Sequence, residues 1–411
     1  NNKFKRCIVV IPPSIMHPSE HIIIMGAGPV GLTLAHQAAL QGVNVTVLES
    51  EAQVSRQLRA STFHPPTLDL LAPSGITQVL IDKGRITPSW QIRLHEGGEH
   101  VTFDLSVLRD DTGHPYRLQC EQLVLSEELE RRLLTLPQVT MLRGVTVESV
   151  GQVLNRAWVT LAGSGERLEC DYLVGCDGAH SIVRKAIGAS FEGSVYPDIN
   201  LLVTTPFDFD GLLPDLAGVN YIWQDSGNYS LLHLPNLWRI SLHPTSGQPL
   251  EAEAQPKRIQ RRLQELFPDA GPFDLAEIRP YRVHKRLASR WRLNRLLIAG
   301  DAAHLNNPKG GMGMNGGIHD AFCLADLLVQ RLNGAPDAVL DGYERQRLPV
   351  VRDDIIGQAD KNHSRMQLQG LEQRRQSLAE LQALADDPQR AYDYLRRTSM
   401  LEGLAKAKAL A

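Results

Sequence analysis

The sequence has few cysteines, no long hydrophobic run and almost no net charge, and each absence excludes a class of protein. Its five cysteines are an odd number without any Cys-x-x-Cys pair, which argues against a disulfide framework and a structural zinc site. No apolar stretch approaches the roughly 20 residues that a transmembrane helix needs. These observations predict a cytoplasmic protein with no metal site and no stable membrane insertion.

The charges are nearly balanced. The formal net charge of −3 comes from 43 Lys and Arg against 46 Asp and Glu. Nucleic-acid binding requires a surplus of cations that neutralise phosphates, so the balance argues against a nucleic-acid partner. With 411 residues, 43% of them hydrophobic, the chain can bury a sizeable core in two or three domains. The pattern does not indicate an oligomeric state.

Residues 1 to about 18 differ from the rest of the chain. Their basic start and apolar stretch are similar to a weak signal peptide, but no small-residue cleavage site follows cleanly. We expect a disordered extension or a cloning artefact that is dispensable for folding.

A strand, a helix and a second strand are predicted next. Residues 21–25 form a β-branched apolar run that stops at Gly26, which is typical of a buried parallel strand. Apolar residues then recur at helical spacing up to Gly42, where a helix commonly ends. Residues 43–49 alternate into a second strand that ends at Glu49. The pattern indicates a βαβ unit.

The turn after the first strand has the spacing Gly-x-Gly-x-x-Gly. Gly26 permits a tight turn, Gly28 lets the backbone approach a pyrophosphate, and Gly31 allows close packing of helix on strand. The helix N-terminus offers N–H groups to the phosphates, and Glu49 is placed to accept hydrogen bonds from a ribose diol. A glycine-rich turn in an ordinary α/β protein is the alternative, but the context favours a dinucleotide site.

Two later segments also end strands with an aspartate. The first reads Tyr-Leu-Val-Gly-Cys-Asp-Gly-Ala-His-Ser around Asp177, and the second reads Leu-Ile-Ala-Gly-Asp-Ala-Ala-His around Asp301. Taken singly, each is also compatible with an ordinary strand that ends in an Asp turn. Together with the first motif, in this order, they resemble the fingerprints of the flavoprotein aromatic hydroxylases, the single-component monooxygenases related to 4-hydroxybenzoate hydroxylase. The resemblance covers residues 20–350.

The resemblance implies an α/β fold in which a Rossmann-like FAD-binding domain carries an inserted antiparallel-sheet substrate domain and C-terminal helices. The expected boundaries are 19–192 and 285–341 for the two parts of the FAD-binding domain, 193–284 for the substrate-binding sheet and 342–411 for the helical region. Short alternating strands after residue 193 favour the antiparallel sheet.

The resemblance also implies a set of FAD-binding residues. Asp301 can accept hydrogen bonds from ribityl hydroxyls, which a nicotinamide dinucleotide lacks. In the glycine-rich loop 308–317, bare backbone can lie against the isoalloxazine ring and direct N–H groups at its pyrimidine oxygens. The expected residues are Gly26, Gly28, Gly31, Glu49, Arg59, Gln122, Asp177, Asp301, Gly313, Met314 and Asn315.

For the reaction, the resemblance implies that NADH or NADPH visits transiently and passes hydride to FAD. Reduced flavin then captures O2 as a C4a-hydroperoxide, and the distal oxygen is transferred to a small aromatic or heteroaromatic, phenol-like ring. The protein holds the substrate and excludes water. Arg184 is expected near the path of the nicotinamide.

The inserted sheet supplies the candidates for the substrate site. His233 could deprotonate or hydrogen-bond a ring hydroxyl because its pKa is near neutral, and Tyr221 and Pro308 are further candidates. Each also has a structural alternative: a core or edge histidine, a packing tyrosine and a loop-stiffening proline. Weaker candidates are Trp223 and Trp238, which we expect to fill the core, and His243.

Other functions remain open beside ring hydroxylation. They are a flavin oxidase, a polyketide-modifying monooxygenase and a non-catalytic, flavin-binding regulatory protein. A flavin halogenase is disfavoured because the signature Trp-x-Trp-x-x-Ile of that group is absent.

Overall fold

The computed structural model describes residues 21–225, 227–243 and 249–411, without the side chains of residues 197 and 198. The extension expected at residues 1–18 lies outside this range. The strands are β1 His21–Met25, β2 Asn44–Glu49, β3 Thr62–Phe63, β4 Arg85–Thr87, β5 Ser89–Leu94, β6 His100–Asp104, β7 Arg117–Gln119, β8 Val139–Arg143, β9 Val147–Val153, β10 Arg156–Leu161, β11 Arg167–Cys170, β12 Tyr172–Gly175, β13 Phe191–Thr205, β14 Val219–Gln224, β15 Gly227–Leu234, β16 Leu237–Leu242, β17 Glu277–Ala288, β18 Arg292–Leu293, β19 Leu296–Ile298 and β20 His304–Leu305.

Helices cover the sheets and form most of the C-terminal region. They are α1 Pro29–Leu40, α2 Pro65–Leu71, α3 Ile76–Lys83, α4 Gln122–Leu133, α5 Ile182–Ala186, α6 Leu250–Glu253, α7 Pro256–Leu266, α8 Gly313–Leu332, α9 Asp341–Val350, α10 Gly357–Met366, α11 Leu371–Ala385, α12 Pro388–Thr398 and α13 Leu401–Ala409. A π-helical segment, Val351–Ile356, joins α9 to α10.

The first sheet has six strands in the order β18-β19-β12-β1-β2-β8. Its inner strands run parallel, and every residue of β1 is buried. The apolar β-branched sequence of β1 suits this position because a parallel strand between helices is covered on both faces. The predicted βαβ unit of β1, α1 and β2 is confirmed.

A second, eight-stranded sheet has the order β20-β17-β13-β16-β15-β14-β5-β6. Its centre is antiparallel, as the alternating sequence predicts. The strands β5 and β6 were expected in the first domain, but β5 pairs in parallel with β14. The boundaries at 193 and 284 therefore omit residues 89–104, because sequence periodicity identifies a strand without identifying its partner.

The C-terminal helices pack against the end of this second sheet. Trp90 and Phe103, from β5 and β6, stack with ring centroids 4.5 Å apart and contact Tyr394 of α12 in one buried cluster. The predicted helical packing of the tail on the main body is confirmed. Within the described ranges, no helix combines the length and the apolar character needed to cross a membrane.

Candidate active site

Three turns that follow parallel strands meet at one edge of the six-stranded sheet. The strands β19, β12 and β1 are parallel neighbours, so their carboxyl ends lie side by side. The turns after them carry Asp301, Asp177 and Gly26, and a cavity of about 720 Å³ opens between these turns. The convergence expected from the sequence is present, and it lies where open α/β sheets bind their ligands.

Most residues expected to bind the cofactor line this first cavity. They are Gly26, Gly28, Glu49, Arg59, Gln122, Asp177, Asp301 and Met314. The other three lie elsewhere: Gly31 is buried beneath the turn, Gly313 lines a neighbouring cavity, and Asn315 is buried in α8.

The three glycines of the first turn differ in what surrounds them. Gly26 has φ of +99°, and a Cβ there would lie 2.3 Å from the carbonyl oxygen of Cys176. A Cβ on Gly31 would lie 2.0 Å from the carbonyl oxygen of Gly26. By contrast, a Cβ on Gly28 would meet nothing within 4 Å. The fold itself therefore requires glycine at 26 and 31, whereas a Cβ on Gly28, which lines the cavity, would have open space around it.

Glu49 connects the end of β2 to the glycine turn. Its Oε2 accepts a hydrogen bond of 2.7 Å from the N–H of Ala27, and its Oε1 accepts one of 2.8 Å from the N–H of Glu51. Oε1 also accepts a hydrogen bond of 3.1 Å from Oγ of Ser50. The carboxylate is thus held at the rim of the cavity, and Oε2 retains a lone pair for a further donor.

Asp177 and Arg184 stabilise the turns around the cavity. Oδ2 of Asp177 accepts a hydrogen bond of 2.8 Å from the N–H of Ile182, so this side chain caps α5. Arg184 donates to the carbonyl oxygens of Ala302 at 2.9 Å and Ala179 at 2.8 Å. Arg184 is buried and does not line the cavity, so its observed role is a bridge between two turns.

Asp301 lies in a short 3₁₀ turn directly after β19. Gly300 precedes it with φ of +61°, and a Cβ there would lie 2.9 Å from a methyl group of Val30 in α1. The Asp301 side chain is open to the first cavity and to a second one beside it. Desolvation by the surrounding protein raises the pKa of Asp301, although His304 and Arg59 oppose the rise.

The N-terminus of α8 faces the same region, and Met314 in its first turn lines both cavities. The N–H of Gly316 bonds back to the carbonyl oxygen of Met312 at 2.8 Å. The N–H groups before Gly316 have no intrahelical acceptor in an α-helix, so the positive end of the helix dipole is directed toward the cavities.

Asn315 contributes its side chain to the fold. Its Nδ2 donates to the carbonyl oxygens of Thr62 at 2.8 Å and Gly311 at 2.7 Å, and its Oδ1 accepts from the N–H of His64 at 3.0 Å. The sequence argument concerned only the backbone of Asn315. The structure adds that this side chain attaches the first turn of α8 to β3.

His64 is a site residue that the sequence analysis missed. Its ring lies 2.7 Å from the carbonyl oxygen of Gly310, in the glycine-rich loop. Burial and the nearby Arg117 cation together lower the pKa of His64 to about 3. The neutral ring therefore donates through Nε2 and holds the loop. A lone histidine before two prolines gives no sequence signal for this role.

A buried charge cluster behind Asp301 was also missed. Asp320 of α8 accepts hydrogen bonds of 2.7 Å from Nε of Arg347 and from Nε2 of His304. A longer bond of 3.3 Å reaches it from the N–H of Gly300, the residue before Asp301. The cluster therefore joins α8, α9 and the turn that positions Asp301.

A second cavity, of about 360 Å³, lies between the glycine-rich loop and one face of the eight-stranded sheet. It shares Arg59, Ala60, Asp301 and Met314 with the first cavity, so the two adjoin. Its sheet-side and loop-side lining includes Asn200, Leu202, Tyr221, Ser230, Leu232, Arg239, Ser241, Arg279, Tyr281, Pro308, Lys309 and Met312.

Two of the three leading substrate candidates, Tyr221 and Pro308, line the second cavity. His233 does not, because side chains alternate along a strand and its neighbour Leu232 occupies the cavity face. The His233 ring instead stacks on Trp238 with centroids 4.1 Å apart. His233 therefore lies outside the second cavity, and the structure gives no support for its contact with a substrate held there.

The weaker candidates, Trp223, Trp238 and His243, lie in two different places. Trp223 and Trp238 are buried in the core, as expected. His243 lies just outside the second cavity, 3.1 Å from Oδ1 of Asn228 and 3.4 Å from Nζ of Lys309. Burial lowers the pKa of His243 to about 3, and Lys309 acts in the same direction.

Comparison with known proteins identifies the family. Residues 20–355 match the family described as FAD binding domain. The chain is 34% identical to 6-hydroxy-3-succinoylpyridine 3-monooxygenase of Pseudomonas putida over 81% of this chain and 85% of that protein. It is 35% identical to para-nitrophenol 4-monooxygenase of a Pseudomonas species over 82% of this chain and 84% of that protein.

Solved structures give the same result. The fold matches p-nitrophenol 4-monooxygenase from Pseudomonas putida with a TM-score of 0.87 at 29% identity, over 94% of this chain and 98% of that one. It also matches aklavinone-11 hydroxylase, solved with FAD and aklavinone, with a TM-score of 0.74 at 25% identity, over 85% of this chain and 70% of that one. The chain therefore belongs to the FAD binding domain family, that of the flavoprotein aromatic hydroxylases.

Proposed function

We propose that this monooxygenase hydroxylates a small, phenol-like aromatic or heteroaromatic ring, with NADH or NADPH and O2 as co-substrates. The observation that carries the proposal is the second cavity, of about 360 Å³, which adjoins the cofactor cavity at Asp301 and Met314. A ring held there lies beside the place where the cofactor's reactive edge is expected.

The residues of the first cavity fit FAD. Gly28 and the N-terminus of α1 suit the pyrophosphate, Glu49 suits a ribose, and Asp301 suits the ribityl hydroxyls. The N–H groups of Met314 and Asn315 suit the pyrimidine oxygens of the flavin. Two features of the chain support this fit: the open space on the cavity side of Gly28 and the Asp301 carboxyl that faces both cavities.

When bound, FAD supplies the redox chemistry: it accepts hydride from the reduced nicotinamide and activates O2 for transfer of one oxygen atom. The chain supplies the surroundings. Leu202, Leu232, Pro308 and Met312 present apolar surface to the ring and exclude water. The Tyr221 hydroxyl lies in the same wall and can hold a polar substituent of the ring.

The test is a panel of phenols, nitrophenols, hydroxybenzoates, quinolones and hydroxypyridines, each given to the purified holoenzyme with NADH or NADPH. We expect at least one compound to accelerate nicotinamide oxidation and to gain one oxygen atom by mass spectrometry. Stimulated oxidation that yields only hydrogen peroxide would indicate an oxidase. Retained FAD without any stimulation would indicate a regulatory protein, and turnover of polycyclic polyketides alone would indicate the polyketide-modifying class.

A further inference from the structure

The Tyr221 hydroxyl has most of its hydrogen-bonding capacity fixed by the protein. The N–H of Gly310 donates to its oxygen at 3.1 Å, and the guanidinium of Arg117 also hydrogen-bonds this side chain. A phenol hydroxyl carries one proton, whereas a guanidinium and a backbone N–H can only donate. The Tyr221 oxygen is therefore the acceptor in both contacts, and its own proton is left to donate to a group in the second cavity.

Arg117 lies directly behind Tyr221 and is buried, with 2% of its surface exposed. Its guanidinium lies 5.0 Å from the ring centroid of Trp90. Among the described residues, Nε and Nη1 of Arg117 have no hydrogen-bond partner. Burial lowers the pKa of Arg117, and the groups that act against this effect are the hydroxyls of Tyr221 and Tyr394. A guanidinium nevertheless stays protonated in proteins.

A buried cation such as Arg117 without a counter-charge is costly in free energy. An anionic ligand bound near Tyr221 would reduce this cost. A small cavity of about 20 Å³ is lined by Arg117 and Tyr221 among others, and it adjoins the second cavity at Tyr221 and Lys309. The space suffices for about one water molecule. Little solvent therefore screens Arg117, and its charge acts strongly at short range.

The other ionisable groups in the walls of the small cavity and of the second cavity are mainly cationic. His64 beside Arg117 is neutral, because burial lowers its pKa to about 3. The Asp301 carboxyl opposes the cations from the far wall of the second cavity. The further groups are Lys309 and Arg365 around the small cavity, Tyr394 against Trp90, and Arg59, Arg239, Arg279 and Tyr281 in the second cavity.

We propose that Arg117 is a positioning residue that acts through Tyr221 to make the second cavity select the ionised form of a ring hydroxyl. The charge of Arg117 polarises the Tyr221 hydroxyl, which then donates a stronger, charge-assisted hydrogen bond to a phenolate oxygen. The inference rests on the proposed function, since it requires a ring with a hydroxyl group. It adds a residue outside the cavity that determines which protonation state binds.

The test uses the oxidised holoenzyme without nicotinamide, so that no turnover occurs, and 4-nitrophenol as the probe. Difference spectra over a pH series report the ionisation of the bound phenol, since the phenolate absorbs at longer wavelength. We expect the wild type to favour the bound phenolate at least about tenfold more than water does. Arg117→Met and Tyr221→Phe should each remove most of this preference, and Arg117→Lys should restore part of it.

Tyr229→Phe is a matched control. Tyr229 lies on the neighbouring strand β15, and its hydroxyl bonds to Nδ1 of His95 at 2.8 Å, on the face away from the cavity. This variant should leave the ionisation of the bound phenol unchanged. If Arg117→Met does not fold, Tyr221→Phe, which removes one oxygen atom, gives the same comparison.

The outcomes separate this inference from the proposed function. Wild-type enzyme that binds and hydroxylates phenols, with an ionisation equilibrium that neither Arg117→Met nor Tyr221→Phe alters, overturns the role of Arg117 and leaves the proposed function standing. A wild type that neither binds nor oxidises any phenol of the panel overturns both.

Discussion

Asp320 of α8 and Arg347 of α9 form an ion pair of 2.7 Å in which both side chains are buried. Asp320 also accepts a hydrogen bond from Nε2 of His304 at 2.7 Å. Two successive helices, α8 and α9, are thereby attached to the turn that carries Asp301. The pair supports the cofactor site without contacting the cavity.

Loss of Arg347 should therefore destabilise the protein strongly. Arg347→Met leaves the Asp320 carboxylate buried without its charged partner, and we expect the free energy of unfolding to fall by about 3–5 kcal/mol. Denaturant unfolding of the apoprotein measures this. The control is Arg352→Met, which removes an exposed arginine paired with Asp353 and should leave unfolding unchanged. Equal stability of the two variants would contradict the importance of the buried pair.

The same pair predicts the response to acid. Burial alone would raise the pKa of Asp320, but Arg347 and His304 lower it to about 2. A carboxyl with a lowered pKa in the folded state stabilises the protein above the pKa of the unfolded chain, near 4. That contribution is lost as pH falls from about 4 to about 2. The wild type should lose stability more steeply than Asp320→Asn over this range, and parallel profiles would contradict the assignment.

Asp301→Ala tests the binding of the ribityl chain. The variant removes the carboxyl that faces both cavities, so it should purify largely without flavin while its circular dichroism stays that of the wild type. Flavin content follows from the visible spectrum. Asp269→Ala, at an exposed position, should retain the cofactor. A yellow Asp301→Ala protein with full flavin content would show that this carboxyl does not bind FAD.

Two alanine substitutions in the glycine turn should have different effects. A Cβ on Gly28 meets no protein atom within 4 Å, whereas one on Gly31 lies 2.0 Å from the carbonyl oxygen of Gly26. Gly28→Ala should therefore fold normally and bind FAD weakly, because the methyl group occupies the side where pyrophosphate approaches. Gly31→Ala should fail to fold or unfold at much lower temperature. Thermal unfolding with and without added FAD distinguishes the two effects.

His233→Ala should leave ring hydroxylation nearly unchanged, because His233 stacks on Trp238 outside the cavity. Burial and the Arg85 cation also lower the pKa of His233. Its position outside the second cavity keeps it from acting as a base toward a ring held there. Steady-state KM and kcat for an accepted substrate provide the test, with Tyr221→Phe as the variant expected to differ. A large loss of kcat in His233→Ala with normal flavin content would restore its role.

The sequence predicted the elements whose signal is local. Glycines at fixed spacing and strands that end at Asp177 and Asp301 depend on neighbouring residues, so the cofactor crevice could be inferred from motifs. The orientation of the His233 side chain could not be predicted from the sequence alone. Alternation places His233 on the face of Leu231 and opposite Leu232, but only tertiary structure shows that Leu232 faces the cavity and Leu231 the core.

Long-range partners were beyond prediction for a related reason. Asp320 and Arg347 lie in helices and His304 in a two-residue strand, and nothing local indicates that the three form one cluster. The Asn315 side chain likewise bonds Thr62, 253 positions earlier in the chain. Pairing of this kind depends on the folded topology rather than on sequence pattern.

The placement of β5 and β6 at the end of the eight-stranded sheet affects protein engineering. Since β5 pairs with β14 while belonging to the N-terminal half of the chain, the polypeptide already enters this sheet before the insert begins. A chimera that exchanges only residues 193–284 with a relative would join β14 of one parent to β5 of the other. Transplanting substrate preference therefore requires residues 89–104 to be exchanged together with the insert.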